Sequence, residues 1–126
     1  MAGTAALYVG DNTGETDFIL GSGAAGVGII NQSNGTITIQ SSTGDSVLKI
    51  ADGASSRGFY TMSGGGLGIE DHLWIGSAAG GVGTFRVIGN GASIGITNDL
   101  TVQNGSSTIA VSFVSSAISP ILVGDD

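Results

Sequence analysis

Cysteine is absent from this chain of 126 residues, proline and histidine occur once each, and only three residues are Lys or Arg. Without cysteine the chain can form neither a disulfide framework nor a thiolate metal site. Three scattered cations against ten acidic residues, for a net charge of −7, cannot build a groove that follows phosphates, so we expect no nucleic-acid partner. No stretch approaches the roughly 20 apolar residues of a membrane-spanning helix, and we expect no membrane insertion.

Glycine and short apolar bursts dominate what is present. Glycine accounts for 24 residues and apolar residues for 40% of the chain, whereas charged residues account for only 10%. Each glycine inside a helix costs about 1 kcal/mol relative to alanine, so this composition argues against helices. Apolar and β-branched residues alternate in short runs bounded by Gly, Asn, Asp and Ser, which is typical of β-strands. The sequence therefore predicts an all-β protein.

The strands belong to a repeat. Leu-x-(Val/Ile) pairs begin four of the short strands, and the last three of these begin 25 and 27 residues apart. The first gap, of 41 residues, fits one period plus an insertion, which we place near residues 15–26. The chain is then a single domain or segment, 1–126, with a divergent final coil at 106–126. The four pairs begin at Leu7, Leu48, Leu73 and Leu100.

Three further segments share one layout, in which a large apolar residue follows a glycine and a turn then leads into an alternating strand. They are 27–39, 57–69 and 82–96. One period of about 26 residues thus contains three short strands. Strands one period apart match, whereas neighbours in sequence differ, so like strands should stack on like in a parallel β-solenoid of about four coils. We expect two interior ladders, Leu7, Leu48, Leu73, Leu100 and Val9, Ile50, Ile75, Val102, with Tyr60 and Phe85 stacked beside Ile30.

The stretch "LWIGSAAGGVGTFRVIGNGASIGITNDLTVQNG", residues 73–105, resembles the glycine-rich β-helical repeats of large secreted bacterial proteins. These include the passenger-type repeats of autotransporters and the repeat regions of PEP-CTERM-sorted exoproteins. The shared form is L-x-(I/V)-G, a glycine-rich corner, G-x-(F/Y), a turn and a short apolar strand. The resemblance implies a right-handed parallel β-helix and an extracellular or cell-surface location.

Several residues invite a chemical role. The segment "GGLGIEDHL", 65–73, comes near a calcium-binding nonapeptide, but Glu70 stands where that motif has Asp, and we interpret His72 as a solvent-facing turn residue. We expect no catalytic residue, no cofactor and no metal site. Three asparagines match the N-glycosylation acceptor pattern: Asn31, Asn34 and Asn104.

The two ends of the predicted solenoid carry the main functional hypothesis. The first and last strands are apolar and uncharged, and unguarded strand edges favour pairing with another chain. Contact between unlike ends does not close, so it propagates into a filament. We expect a structural, non-enzymatic building block of a surface or matrix fibre, whose partner is a second copy or flanking coils of a longer chain. The candidate assembly edges are Leu7, Tyr8, Val9, Ile121, Leu122 and Val123.

Two alternatives remain open. Trp74 and Tyr8 each follow a ladder leucine and should point outward, which suits an adhesive or carbohydrate-binding module. A polysaccharide-acting β-helix enzyme would instead need Arg57 and Arg86, one period apart, to lie near each other beside Glu70.

Overall fold

The computed structural model describes residues 5–10, 14–77, 79–103, 106–112 and 121–123. In these ranges the chain is all-β, and every pair of neighbouring strands is parallel. The strands are β1 (Ala6–Val9), β2 (Thr16–Ser22), β3 (Val27–Gln32), β4 (Thr36–Ile39), β5 (Ser46–Asp52), β6 (Arg57–Ile69), β7 (His72–Ile75), β8 (Val82–Ile96), β9 (Leu100–Val102), β10 (Thr108–Ser112) and β11 (Ile121–Val123).

The strands form three faces around one core, and together they make a β-solenoid of about four turns. Face 1 is the sheet β2-β5-β7-β9. Face 2 contains β3, the first part of β6, the first part of β8 and β10. Face 3 contains β1, β4, the second part of β6, the second part of β8 and β11. The predicted parallel solenoid with three strands per coil is confirmed.

Inward side chains stack in ladders because parallel pairing places each residue beside its equivalent one coil away. The aromatic rung that the sequence predicts is present: Ile30 pairs with Tyr60, Tyr60 pairs with Phe85, and the two ring centroids lie 5.4 Å apart. The central ladder residues are fully buried and form one apolar core. The ladders are Phe18, Leu48, Leu73, Leu100 on Face 1; Ile30, Tyr60, Phe85, Ile109 on Face 2; and Leu7, Ile37, Leu67, Ile94 on Face 3.

The placement of the first strand corrects the sequence prediction. Leu7 pairs with Ile37 on Face 3, not with Leu48, and Val9 pairs with Ile39. The ladder positions on Face 1 belong to Phe18 and Leu20 of β2, so the segment taken for an insertion near 15–26 contains a regular strand. The error has a physical origin, because "LYV" alternates in the same way as the Face 3 strand "TITI" and fits either face.

Coil length varies while the pairing persists. Phe18 pairs with Leu48 thirty residues later, whereas Leu48 pairs with Leu73 after only 25. The extra residues lie in the corners between strands. The Asn-Gly at 34–35 is such a corner: it joins β3 to β4, which lie on different faces and pair with other coils. It therefore does not close a hairpin.

One corner recurs with the same backbone conformation in three coils. The residues that follow Leu20, Ile50 and Ile75 all have positive φ. They are Gly21 (φ 75°), Ala51 (φ 66°) and Gly76 (φ 70°). This left-handed conformation turns the chain from Face 1 toward Face 2, and glycine adopts it without the Cβ penalty that Ala51 incurs.

Glycine is required on the inner side of the next strand for a different reason. A Cβ on Gly58 would lie 2.6 Å from the Ile50 Cγ2 atom and 2.7 Å from the Leu20 carbonyl oxygen. Gly68, on the outer side of the same strand β6, faces open space. The close approach of backbone at Gly58 is what allows Face 1 and Face 2 to meet at an acute corner.

We expect Gly58→Ala to lower the free energy of unfolding by at least about 1–3 kcal/mol, because the new methyl group overpacks a rigid corner. The matched control is Gly68→Ala, which we expect to be neutral or slightly stabilising. Urea unfolding followed by circular dichroism measures both. Equal destabilisation by the two substitutions would contradict this account of the corner.

Candidate functional site

The two ends of the solenoid expose side chains that the fold directs inward. Leu7, Val102 and Val111 occupy core ladder positions yet are 47%, 42% and 41% exposed. Their partners one coil further in are Ile37, Ile75 and Val87, which are at most 9% exposed. The exposure follows from position, because a terminal coil has a neighbour on one side only.

The N-terminal end contains an open cavity of about 280 Å³. Its lining includes the ladder residues Leu7, Ile30 and Ile37 together with Gln32. Among the described residues, the cavity therefore borders the core ladders of Face 2 and Face 3 at this end.

Gln32 is the buried polar residue next to this cavity. Its Oε1 atom accepts a 2.6 Å hydrogen bond from the Tyr60 hydroxyl. Its Nε2 atom donates to the carbonyl oxygens of Gly66, at 2.8 Å, and Gly35, at 3.2 Å. The amide thus ties adjacent coils together with all of its atoms paired, which limits the cost of burying it. Nothing in the strand pattern of the sequence singled out this network.

In the part of the chain that the structure describes, six strands, not two, border the ends. The predicted edge residues Leu7, Tyr8 and Val9 lie in β1, where Tyr8 is the most exposed large side chain. Strand β11 (Ile121, Leu122, Val123) pairs with β8 at the other end of Face 3. On the other two faces β2 and β3 border the N-terminal end, and β9 and β10 the C-terminal end. Sequence reasoning named none of these four, and it missed β2 and β3 because it assigned β1 to Face 1.

A cluster around Trp74 lies on the outer side of Face 1. The Lys49 Nζ atom lies 5.2 Å from the centre of the indole ring and forms an ion pair with Asp17 at 2.6 Å. The His72 ring stacks on Trp74 with centroids 5.9 Å apart. The outward row through Trp74 is Ile19, Lys49, Trp74 and Thr101.

The prediction that Trp74 and Tyr8 occupy equivalent positions in the repeat is wrong. Tyr8 pairs with Thr38 on Face 3, so the two aromatics lie on different faces. The same shift of β1 that displaced Leu7 accounts for this, since the prediction placed Tyr8 one position after a Face 1 leucine.

The acidic segment that suggests a calcium site hydrogen-bonds to the protein itself. Glu70 accepts a hydrogen bond from the Ser41 backbone N–H at 2.9 Å. Asp71 accepts from the backbone N–H and hydroxyl of Ser46, and from the side-chain amide of Asn98. His72, predicted in a solvent-facing turn, lies in strand β7 and is half-buried. These carboxylates therefore join neighbouring coils at the corner between Face 3 and Face 1. Within the described ranges no group of three or more His, Asp or Glu is arranged to hold a metal ion.

The structure does not bring the two arginines together. Arg57 pairs with Val82, and Arg86 pairs with Thr61. The four-residue offset between them along adjacent strands corresponds to about 13 Å at 3.3 Å per residue. The backbone therefore holds the two arginines apart along the strands of Face 2.

The glycosylation acceptors differ in their environment. Asn31 is exposed on the outer side of Face 2. Asn34 is exposed at a corner, where its Oδ1 atom accepts a 2.8 Å hydrogen bond from the Gly35 backbone N–H. Asn104 lies outside the described residues.

Comparison with known proteins identifies no relative of this chain. No protein-family model, curated protein or solved structure matches the chain. Across the described part of the chain, no helix has the length and apolar character needed to cross a bilayer.

The buried network at Gln32 predicts a loss of stability in alkali. Burial raises the pKa of the Tyr60 hydroxyl well above its usual value of about 10. Above about pH 10 the unfolded chain releases this proton while the folded chain retains it, so the free energy of unfolding falls as pH rises. We expect Tyr60→Phe to remove this component of the decline, at about 1 kcal/mol per pH unit.

Urea unfolding at pH 8 and pH 11 measures the difference. At pH 8 the variant should be less stable than the natural chain by about 1–3 kcal/mol, because Gln32 Oε1 loses its donor. Identical pH dependence in the two proteins would show that Tyr60 does not keep its proton in the fold.

Proposed function

We propose that this protein is a structural building block of an extracellular or cell-surface fibre, assembled by end-to-end stacking of β-solenoids. The observation that carries the proposal is the exposure of inward core residues at both ends. Leu7 belongs to one end, and Val102 and Val111 to the other. Stacking one copy on the next would bury these residues as each central coil buries its own. The surface location rests on the resemblance to secreted glycine-rich repeats.

The geometry of the ends supports this mode of contact. The ends present parallel strand edges whose backbone groups can continue the ladder into a second copy. The cavity at the N-terminal end, lined by Leu7, Ile30 and Gln32, provides space for side chains from that copy. The two ends differ, so their contact is head-to-tail and extends without closing.

Stacking can be separated from lateral association by two lysine substitutions of exposed apolar residues. Val111→Lys places a charge in the terminal core ladder, and Ile29→Lys places the same charge on the outer side of Face 2. Ile29 is 62% exposed, more than Val111, so surface hydrophobicity alone would make Ile29→Lys the more disruptive change. We expect Val111→Lys to reduce assembly at least about tenfold, the factor that 1.4 kcal/mol produces in an equilibrium constant, and Ile29→Lys to leave it unchanged.

Sedimentation and negative-stain electron microscopy of the folded proteins measure this assembly, with circular dichroism to confirm the fold of each variant. The natural chain should form rods of constant width. Assembly blocked by Ile29→Lys but not by Val111→Lys would establish lateral packing instead. A natural chain that stays monomeric at all concentrations would refute the fibre.

The second candidate function is carbohydrate binding on Face 1. It is favoured by the cluster in which Trp74 lies among Asp17, Lys49 and His72, since indole rings and charged groups together bind sugars in many sites. Its support is weaker than that for stacking, because Lys49 and His72 already contact the indole ring.

If Face 1 binds glycans, Trp74→Ala should abolish retention on a glycan array. Ile19→Ala, in the same outward row, is the matched control and should retain binding. Unchanged binding in Trp74→Ala would exclude this cluster as the sugar site.

A further inference from the structure

The order in which the chain visits the three faces creates a conflict at the junction between stacked copies. From β1 onward the faces recur in the order Face 3, Face 1, Face 2. Strands β6 and β8 each supply a Face 2 and a Face 3 segment, so the eleven described strands fill thirteen positions. Among these strands the first, β1, and the last, β11, both lie on Face 3.

A continuous rod has one Face 3 position at the junction, but two strands compete for it. If β2 and β3 of one copy pair with β9 and β10 of the copy before it, both the preceding β11 and the incoming β1 fall in the single layer between them. If both strands stayed, Face 3 would contain one strand more than Face 1 and Face 2 at the junction. On each of those two faces a gap one strand wide would then separate the copies. That arrangement would leave the inward residues Val102 and Val111 uncovered.

We propose that β1 of the incoming copy takes the place of β11 on β8, so that the fibre grows by strand exchange. This inference rests on the proposed end-to-end stacking. The two strands are interchangeable in their pairing: Leu7 and Val9 meet Ile37 and Ile39, while Ile121 and Val123 meet Ile94 and Ile96. Their sequences match as well, with "LYVGDN" at 7–12 and "ILVGDD" at 121–126. Strand β11 thus acts as an internal substitute that covers the edge of β8 until another copy arrives.

We assign β11 as the strand that leaves, because β1 is held firmly within its own copy. Strand β1 pairs with β4 at all four of its positions. The carbonyl oxygens of Ala5 and Val9, at the ends of β1, also accept hydrogen bonds from the backbone N–H groups of Thr36 and Gln40.

Disulfide trapping in fibres tests the exchange, and the chain contains no natural cysteine to interfere. After exchange, Tyr8 of one copy lies beside Gly95 of the next, where Leu122 lies in the single chain. Within one copy Thr38 and Gly68 intervene between Tyr8 and Gly95. The resulting separation, about 14 Å at 4.7–4.9 Å per strand, is too large for a disulfide within one copy.

The double variant Tyr8→Cys/Gly95→Cys should therefore give covalent oligomers when fibres are oxidised, seen as a ladder on a non-reducing gel. Two other pairs report the alternatives. Thr38→Cys/Leu122→Cys crosslinks copies if β11 stays and β1 gives way. Tyr8→Cys/Leu122→Cys crosslinks them if both strands stay. Fibres that crosslink through either of these pairs and not through Tyr8→Cys/Gly95→Cys would overturn the exchange while leaving end-to-end stacking intact.

A second, independent experiment locks β11 in place with a disulfide. Gly95→Cys/Leu122→Cys joins neighbouring strands within one copy, at a position where Gly95 faces open space. We expect the oxidised monomer to stop elongating and the reduced monomer to elongate normally. Elongation of the oxidised, locked monomer at the normal rate would also overturn the exchange. If the natural chain forms no fibres at all, the proposed function fails and the exchange fails with it.

Discussion

Parallel pairing between successive coils is the constraint on which this molecule depends. Each coil hydrogen-bonds to the next at one strand spacing, so every inward residue must tolerate its own equivalent as a neighbour. A slip of one residue would turn Leu48 and Leu73 outward and bring Lys49 and Trp74 into the core. The same rule requires small residues wherever two backbones converge, as at Gly58. The sequence is repetitive because the geometry of the stacked coils repeats.

The same constraint explains why the ends expose apolar side chains. A closed core would need each terminal coil to differ from the interior ones, with polar residues replacing the outermost ladder. In the described residues most ladders instead end on apolar side chains, such as Leu7 at one end and Val111 at the other, and Gln32 is a polar terminal member. Gln32 shows how little polarity the N-terminal end contains, since its amide is used entirely for bonds to Tyr60 and two backbone carbonyls. In the proposed fibre, burial of these terminal side chains would hold copies together in the way that it holds the coils together.

Sequence reasoning recovered the architecture because the signal is local and repeated. Alternation gives the strands, and the matching of Ile30, Tyr60 and Phe85 gives their stacking. The sequence did not determine which face each strand occupies, because an inward-outward-inward triplet such as "LYV" fits any of the three faces. Only contacts with the neighbouring coil decide that, and they depend on corner lengths that vary from coil to coil. The same error affected the candidate site: one misplaced strand put Tyr8 on the same face as Trp74 and concealed β2 and β3 as edges. The hydrogen bonds of the Gln32 amide could not be predicted from the sequence for another reason, because its partners Tyr60 and Gly66 lie one coil away along the chain.

The uneven spacing of the coils has a consequence for how such a chain can change. Pairing is kept between Phe18 and Leu48 across thirty residues and between Leu48 and Leu73 across 25, so the difference is absorbed outside the ladders. A corner can then gain or lose several residues without altering the cross-section of the rod or the side chains that fill it. The exposed corner at 42–44, between Face 3 and Face 1, is one such place. In a scaffold of this kind the length of a corner can change while the cross-section of the rod stays the same. New peptide segments can therefore be displayed at regular intervals along a rod of constant width.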